Sequence, residues 1–327
     1  MDLNSQATFM SSVWLILGII IFLGNIITTA IIWLRKAKQE RSKFGLKCHA
    51  AYNLLGVDMG YSFHGLILTL MSIVRLTKDG RISEGACDVL GFFQAFSFHF
   101  AAVGVLVLQT DKFYCLVKPF VYHAYSRSKS TIPLIVVICC IIYGTFIAVL
   151  PLTKHGNYSS KATYTSCMLT WNQNSAFYAS LSLNIVLYVL TIVVIFGSLR
   201  QKLQLIQKRR KMRVATSHPN ETIIFVLAVS SLFVLCWTPN LVAMLVSIFF
   251  SEDEPEEKTK AVLFGITLIP LLFNPVVTFA FRVDCRVEFI KYWNYSKECL
   301  MPKKIQKTTE ACEARTSYVV AVEMNKM

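Results

Sequence analysis

The chain has 327 residues, of which 54% are hydrophobic and only 16% charged, with a mean hydropathy of +0.52. That apolar share exceeds what the core of an ordinary soluble domain uses. The formal charge is +14, but Lys and Arg lie in short segments between long uncharged runs, which fits membrane topology better than a nucleic-acid-binding face.

Crossing a hydrocarbon core of about 30 Å takes roughly 20 apolar residues in a helix, since lipid offers no partner for a bare backbone N–H or C=O. In chain order the runs of that length are Val13 to Leu34; Cys48 to Val74, interrupted only by Asp58; Val89 to Thr110; Thr131 to Thr153; Asn172 to Leu199; Thr222 to Ser251; and Ala261 to Phe281. The connections alternate between two sides, and short basic loops stay cytoplasmic. The first loop carries Arg35, Lys36, Lys38, Arg41, Lys43 and Lys47, and the third loop on that side carries Arg200, Lys202, Lys208, Arg209, Arg210, Lys211 and Arg213. The opposite side holds Glu252, Asp253, Glu254, Glu256 and Glu257.

These patterns predict an all-α membrane protein: a seven-transmembrane helix bundle over residues 11–281 behind an extracellular N-terminus, 1–10. A short amphipathic helix eight over 282–293, with basic and apolar residues interleaved up to Trp293, follows and lies on the membrane. The cytoplasmic tail, 294–327, reads as disordered and carries Thr308, Thr309, Thr316 and Ser317 as phosphorylation candidates. The first apolar run is too long for a signal core and lacks a basic segment before it, so it acts as first span and anchor.

Of the ten cysteines, Cys87 and Cys167 alone face the oxidising side, so one disulfide between them is the expected pairing, with two free thiols as the alternative. Asn157-Tyr158-Ser159 is a glycosylation pattern on the same side, whereas Asn220-Glu221-Thr222 and Asn294-Tyr295-Ser296 lie on the cytoplasmic one. The tail cysteines beside helix eight are palmitoylation candidates or plain thiols.

Asp58 is the one acid well inside a span, where a charge is expensive and normally faces a partner. Asn25 and Asn274 on other helices make a mid-membrane polar cluster the expected arrangement, a water-solvated lone acid being the alternative. The third span ends in Asp111-Lys112-Phe113, which also reads as an interfacial anchor. The sixth carries Cys236-Trp237-Thr238-Pro239, and a mid-span proline frees a carbonyl and bends the helix. Asn274-Pro275 in the seventh is the same device, with a polar neighbour able to satisfy the freed backbone.

In this order and on these helices, the landmarks resemble the rhodopsin-like (class A) G-protein-coupled receptor family. The resemblance rests on Gly24-Asn25, Asn53-Leu54 with Asp58, Cys87 and Cys167, Asp111-Lys112-Phe113 with Pro119, Cys236-Trp237-Thr238-Pro239 and Asn274-Pro275. It implies a receptor that senses a small molecule in the outer half of the bundle and signals through movement of the sixth helix to a heterotrimeric G protein. The residues it assigns to activation and coupling are Asp58, Asp111, Lys112, Phe113, Pro239, Asn274 and Pro275; those it assigns to the ligand pocket are Gln94, Phe98, Asn184, Trp237, Asn240 and Leu268, with core packing the competing reading of Phe98. None of the pocket candidates is charged, which implies a neutral or apolar ligand.

The loop from Pro151 to Trp171 looks like that of opsins, but Leu268 stands where an opsin carries its retinal lysine and the third span offers no counter-ion, so no retinal cofactor is expected. Gln94 stands where amine receptors carry an aspartate. Departures gather on the signalling side: Lys112 replaces the family's central arginine, losing its bidentate fork; Thr278 and Phe196 replace tyrosines; Pro219 replaces an acid; Tyr188 replaces the fifth-helix proline; Ile141 replaces the fourth-helix tryptophan; and Ala101 replaces a serine. A second reading is therefore a non-signalling scaffold or decoy that keeps the fold. The basic segment Arg200 to Arg213 would meet a G protein or anionic lipid headgroups. No repeat or chain of ionisable groups suggests a transporter, no metal cluster, nucleophile or phosphate loop suggests an enzyme, and the expected location is the plasma membrane as a multi-pass protein.

Overall fold

The computed structural model describes residues 3–41, 49–77, 82–122, 132–153, 156–159, 167–169, 175–212, 220–249 and 257–300. Its first unit runs to Arg282. It contains α1 (Leu3–Arg41), α2 (His49–Thr77), α3 (Glu84–Val117), α4 (Ile132–Val149) and a 3-10 turn (Leu150–Leu152), then strands β1 (Tyr158–Ser159) and β2 (Met168–Leu169), then α5 (Ser175–Met212), α6 (Asn220–Phe249) and α7 (Glu257–Phe281). The second unit holds α8 (Val283–Leu300).

Helices α1 to α7 are all long and apolar enough to cross a membrane, and each overlaps one of the seven expected spans, which α1, α3 and α7 contain whole. Several overrun the uncharged stretches: α1 has 39 residues and α5 has 38. Nothing in the backbone ladder stops at the hydrocarbon edge, Lys and Arg are good helix formers, and their long stems reach the headgroups. The same continuity makes α1 begin at Leu3, so most of the segment expected outside the bundle is helical. Helix α8 likewise continues past Trp293, the expected end. Within it Phe289 stacks on Trp293, and Lys291 Nζ lies 3.6 Å from Glu288 Oε1 one turn away.

Inside the bundle α1 packs along α2 and α7, while α3 touches α2, α4, α5 and α6. Helices α2, α3 and α7 bury the largest shares of their spans, and α4, α5 and α6 turn most of theirs outward, as lipid-facing helices must. The Cβ of any larger residue at Gly24 would meet Pro275 Cγ at 3.0 Å, which is how α1 comes close to the α7 proline. The loop after α4 adds one feature to the all-helical expectation: β1 pairs antiparallel with β2, Tyr158 opposite Leu169. Pro219, the acidic residues 252–256 and the tail from 301 lie outside the described residues.

Candidate functional site

At mid-membrane the expected polar cluster is assembled. Asn274 Nδ2 donates to Asn25 Oδ1 at 2.8 Å and to Asp58 Oδ1 at 2.6 Å, and all three residues are buried. The freed backbone is handled differently from the sequence expectation. Pro275 has no N–H for the carbonyl four residues back, that of Leu271. Asn25 Nδ2, not the adjacent Asn274, donates to Leu271 O at 2.9 Å and also to Ile21 O at 2.8 Å. The reason is reach: Asn274 has both N–H groups committed to side chains on α1 and α2.

Above this cluster Phe98 of α3 stacks on Trp237 of α6, ring centroids 4.6 Å apart and planes 9° apart, and Phe233 of α6 also stacks on the indole, centroids 5.0 Å apart. Gln94, Asn184 and Leu268 are buried and Asn240 half-buried. His64 of α2 joins from beside Phe98, centroids 5.7 Å apart. Ser97 Oγ donates to the Gln94 carbonyl at 2.9 Å, so in the 3.0 Å contact of His64 Nδ1 with Ser97 Oγ the ring N–H is the donor and Nε2 is left as an acceptor. Among the described residues His64 Nε2, Gln94 Oε1, Asn184 Oδ1 and Trp237 Nε1 have no hydrogen-bond partner. Three acceptors and one donor are thus left unpaired, two of them, His64 and Trp237, in ring contact with Phe98. Two cations are also buried at the outer ends of the helices, Arg75 on α2 and Lys260 on α7, both engaged by other groups.

Pro239 interrupts the hydrogen-bond ladder of α6 just beyond Trp237, the kind of position at which a helix bends. Thr238 Oγ1 donates to Val234 O at 2.8 Å, so its hydrogen bond with Tyr188 has the phenol as donor. Tyr188, where the family's fifth-helix proline would stand, therefore braces α6 at its bend.

The outer end is closed by the disulfide between Cys87 and Cys167, whose Cα atoms lie 5.3 Å apart. Tyr158 is packed under it with Ile67 and Met71. A Cβ at Gly91 would fall 2.6 Å from the Tyr158 ring, so only glycine lets that ring lie flat on α3. The phenol donates to Ala148 O at 2.9 Å, in the last turn of α4. Burial, then the nearby Asp88 charge, pushes its ionisation above the usual phenol range, which keeps it a neutral donor. Asn157 beside it is exposed.

At the cytoplasmic end Tyr122 donates to Asp111 Oδ2 at 3.1 Å, and Lys112 Nζ lies 3.4 Å from the same oxygen. Phe196 is 67% exposed on α5, and Thr278 is buried with its hydroxyl oxygen lacking a partner among the described residues. Two turns cytoplasmic of Trp237, Gln109 bridges Ser198 and Ser230.

His64, Gln109, Tyr122, Tyr158 and Tyr188 carry contacts that the sequence reading did not assign. A survey for acids and bases passes over neutral polar side chains inside apolar runs, yet each of those must find a partner in lipid; a search for them lists His64, Gln109 and Tyr188, whereas Tyr122 and Tyr158 lie outside the runs.

The sequence model of the family described as 7 transmembrane receptor (rhodopsin family) matches residues 24–277. The chain is 24% identical to the prostaglandin F2-alpha receptor of Homo sapiens over 278 residues, 81% of this chain and 74% of that protein. It is 31% identical to the neuropeptides B/W receptor type 2 of Bos taurus over 117 residues, 33% of this chain and 34% of that one. Squid rhodopsin, known from its crystal structure, superposes with a TM-score of 0.65 at 16% identity, over 92% of this chain and 91% of that one, a likeness of fold.

Proposed function

Because the chain belongs to the rhodopsin family of seven-transmembrane receptors, a family of receptors and not of enzymes, we propose that it senses a small neutral or apolar molecule in the outer half of its bundle. The signal then passes through α6 to a heterotrimeric G protein, from the plasma membrane. The two relatives are named for different ligands, so the ligand class rests on this chain's own residues.

The observation that carries the reading is the Phe98–Trp237 stack, held between buried uncharged side chains and the bend at Pro239. A ligand that displaced Phe98 would act directly on the indole at the point where α6 can swing. The Gln94, Asn184 and His64 acceptors would take its hydroxyl or amide protons, and Trp237 Nε1 would donate to a carbonyl or ether. Asp58, Asn274 and Pro275 sit on the α1, α2 and α7 side of that movement, while Asp111, Lys112 and Phe113 lie in the last two turns of α3, which continues to Val117 and beside which the G protein would dock. Asn157, exposed in its sequon, is the glycosylation site of this reading.

The test is basal and ligand-stimulated G-protein activation in cells expressing wild type and Lys112→Arg at matched surface levels, across several G-protein families, with a library of neutral and acidic compounds. Coupling by wild type, or its gain in the arginine variant, supports the receptor reading. Hits confined to acids, lost in Arg75→Gln or Lys260→Gln, would replace the neutral ligand by a carboxylate anchored at the outer rim.

A second reading, a non-signalling scaffold or decoy, is favoured by one arrangement: Lys112 is paired within its own helix and Phe196 is turned outward. Silence of both chains at the cell surface would support it.

A further inference from the structure

We infer that Gln109, Ser198 and Ser230 form a neutral clasp that holds α6 against α3 and α5, and that this clasp must open before the cytoplasmic end of α6 can move. The inference rests on the proposed role of α6 as the moving element.

One planar amide joins three helices. Gln109 Nε2 donates to Ser198 Oγ at 3.1 Å, and its Oε1 accepts from Ser230 Oγ at 3.1 Å. All three residues are buried. Buried apolar side chains lie within four residues of them on α3 and α6: Val105 and Leu108, and Val226, Val229 and Phe233. The two bonds have opposite polarity, so a single side chain satisfies a hydroxyl acceptor on α5 and a hydroxyl donor on α6 at once, in one register.

The bonds fail asymmetrically. A hydrogen bond of 3.1 Å is lost once α6 moves outward by about 1 Å. The Ser230 hydroxyl can then turn to a carbonyl of its own helix, but the amide oxygen has no such retreat and stays unpaired until water reaches it. The closed arrangement is therefore favoured by an amount small enough to be overcome. Ser230 lies about 12 Å along the helix from Thr238, where Tyr188 holds the bend. The brace at Thr238 is the fulcrum, and the clasp sits partway along the arm that swings.

The charged pair nearest Gln109 on α3 is engaged within its own end of the bundle. Lys112 pairs with Asp111 on its own helix, and Tyr122 holds the same carboxylate.

The full-length chain in nanodiscs, carrying spin labels on unnatural amino acids at Lys118 and Glu221, tests this by pulsed electron resonance of the α3 to α6 distance. Gln109→Leu is expected to raise the long-distance fraction about tenfold and Ser230→Ala about threefold. The double variant should do no more than Gln109→Leu alone, and Ser230→Thr, which keeps the hydroxyl, should match wild type. Should Gln109→Leu fail to reach the membrane, Ser198→Ala and Ser230→Ala carry the test. Distance distributions that overlay wild type in the leucine and alanine variants overturn the clasp, and so does an equal shift in Ser230→Thr. Basal G-protein activation of the same variants separates the two readings: altered distances with no coupling leave the clasp standing and remove the coupling reading, whereas unaltered distances with normal coupling do the reverse.

Discussion

Two buried polar junctions share out most of the bundle. Asn25, Asp58 and Asn274 tie α1, α2 and α7, and Gln109, Ser198 and Ser230 tie α3, α5 and α6. The first contains an acid and two amides, and its Asn25 also takes the carbonyl that Pro275 orphans. Removing Asn25 there strands Leu271 O and an N–H of Asn274, and of its bonds only that to Ile21 O is local. The second contains one amide and two hydroxyls, and each hydroxyl can fall back on its own helix. The contrast teaches how one membrane bundle can be rigid on one side and adjustable on the other while both sides are equally buried. Partner count decides it, since an atom with a fallback makes a reversible bond.

The most damaging test of that contrast is Asn25→Ala. It removes the donor to Leu271 O and the acceptor for Asn274, so thermal unfolding in detergent should show a loss of about 2–4 kcal/mol. A loss no larger than that of Gln109→Leu would break the comparison. Next comes Tyr188→Phe, which deletes one hydrogen bond while Thr238 keeps its own to Val234 O; a loss of about 1 kcal/mol is expected in the same assay. Gln109→Leu itself should change stability by less than about 1 kcal/mol in either direction, because an apolar isostere replaces the amide and the serines turn inward. Smallest of all is the coupling between the two sides: Asn25→Ala and Gln109→Leu combined should be additive to within about 0.5 kcal/mol. Larger coupling would mean that the His64–Ser97 contact between α2 and α3 makes the halves one unit.

The sequence is most legible where lipid is the judge. Long uncharged runs place the seven spans, because an uncharged stretch of that length has few other fates, and Asp58 draws attention because an acid there needs company. Cys87 and Cys167 are legible because loop charge assigns their side. What the runs do not carry is rotation. The face that Gln109 or His64 presents depends on crossing angles set by packing, and the Leu271 carbonyl becomes an acceptor for Asn25 only once α1 has come against α7 at Gly24. Helix ends were misjudged for a related reason: charge marks the edge of the oil, whereas the helical ladder of α1 and α8 continues through it.

The hydrogen bond from Asn25 to Leu271 O spans 246 positions in sequence. During synthesis at roughly 5–20 residues per second, the first span waits about 10–50 s before its partner exists. Throughout that interval one N–H of Asn25 has only water or a chaperone to serve it. A message truncated anywhere before Leu271 yields a chain in which this amide never finds its carbonyl, so the first helix completes its hydrogen bonds only after the last one has been made.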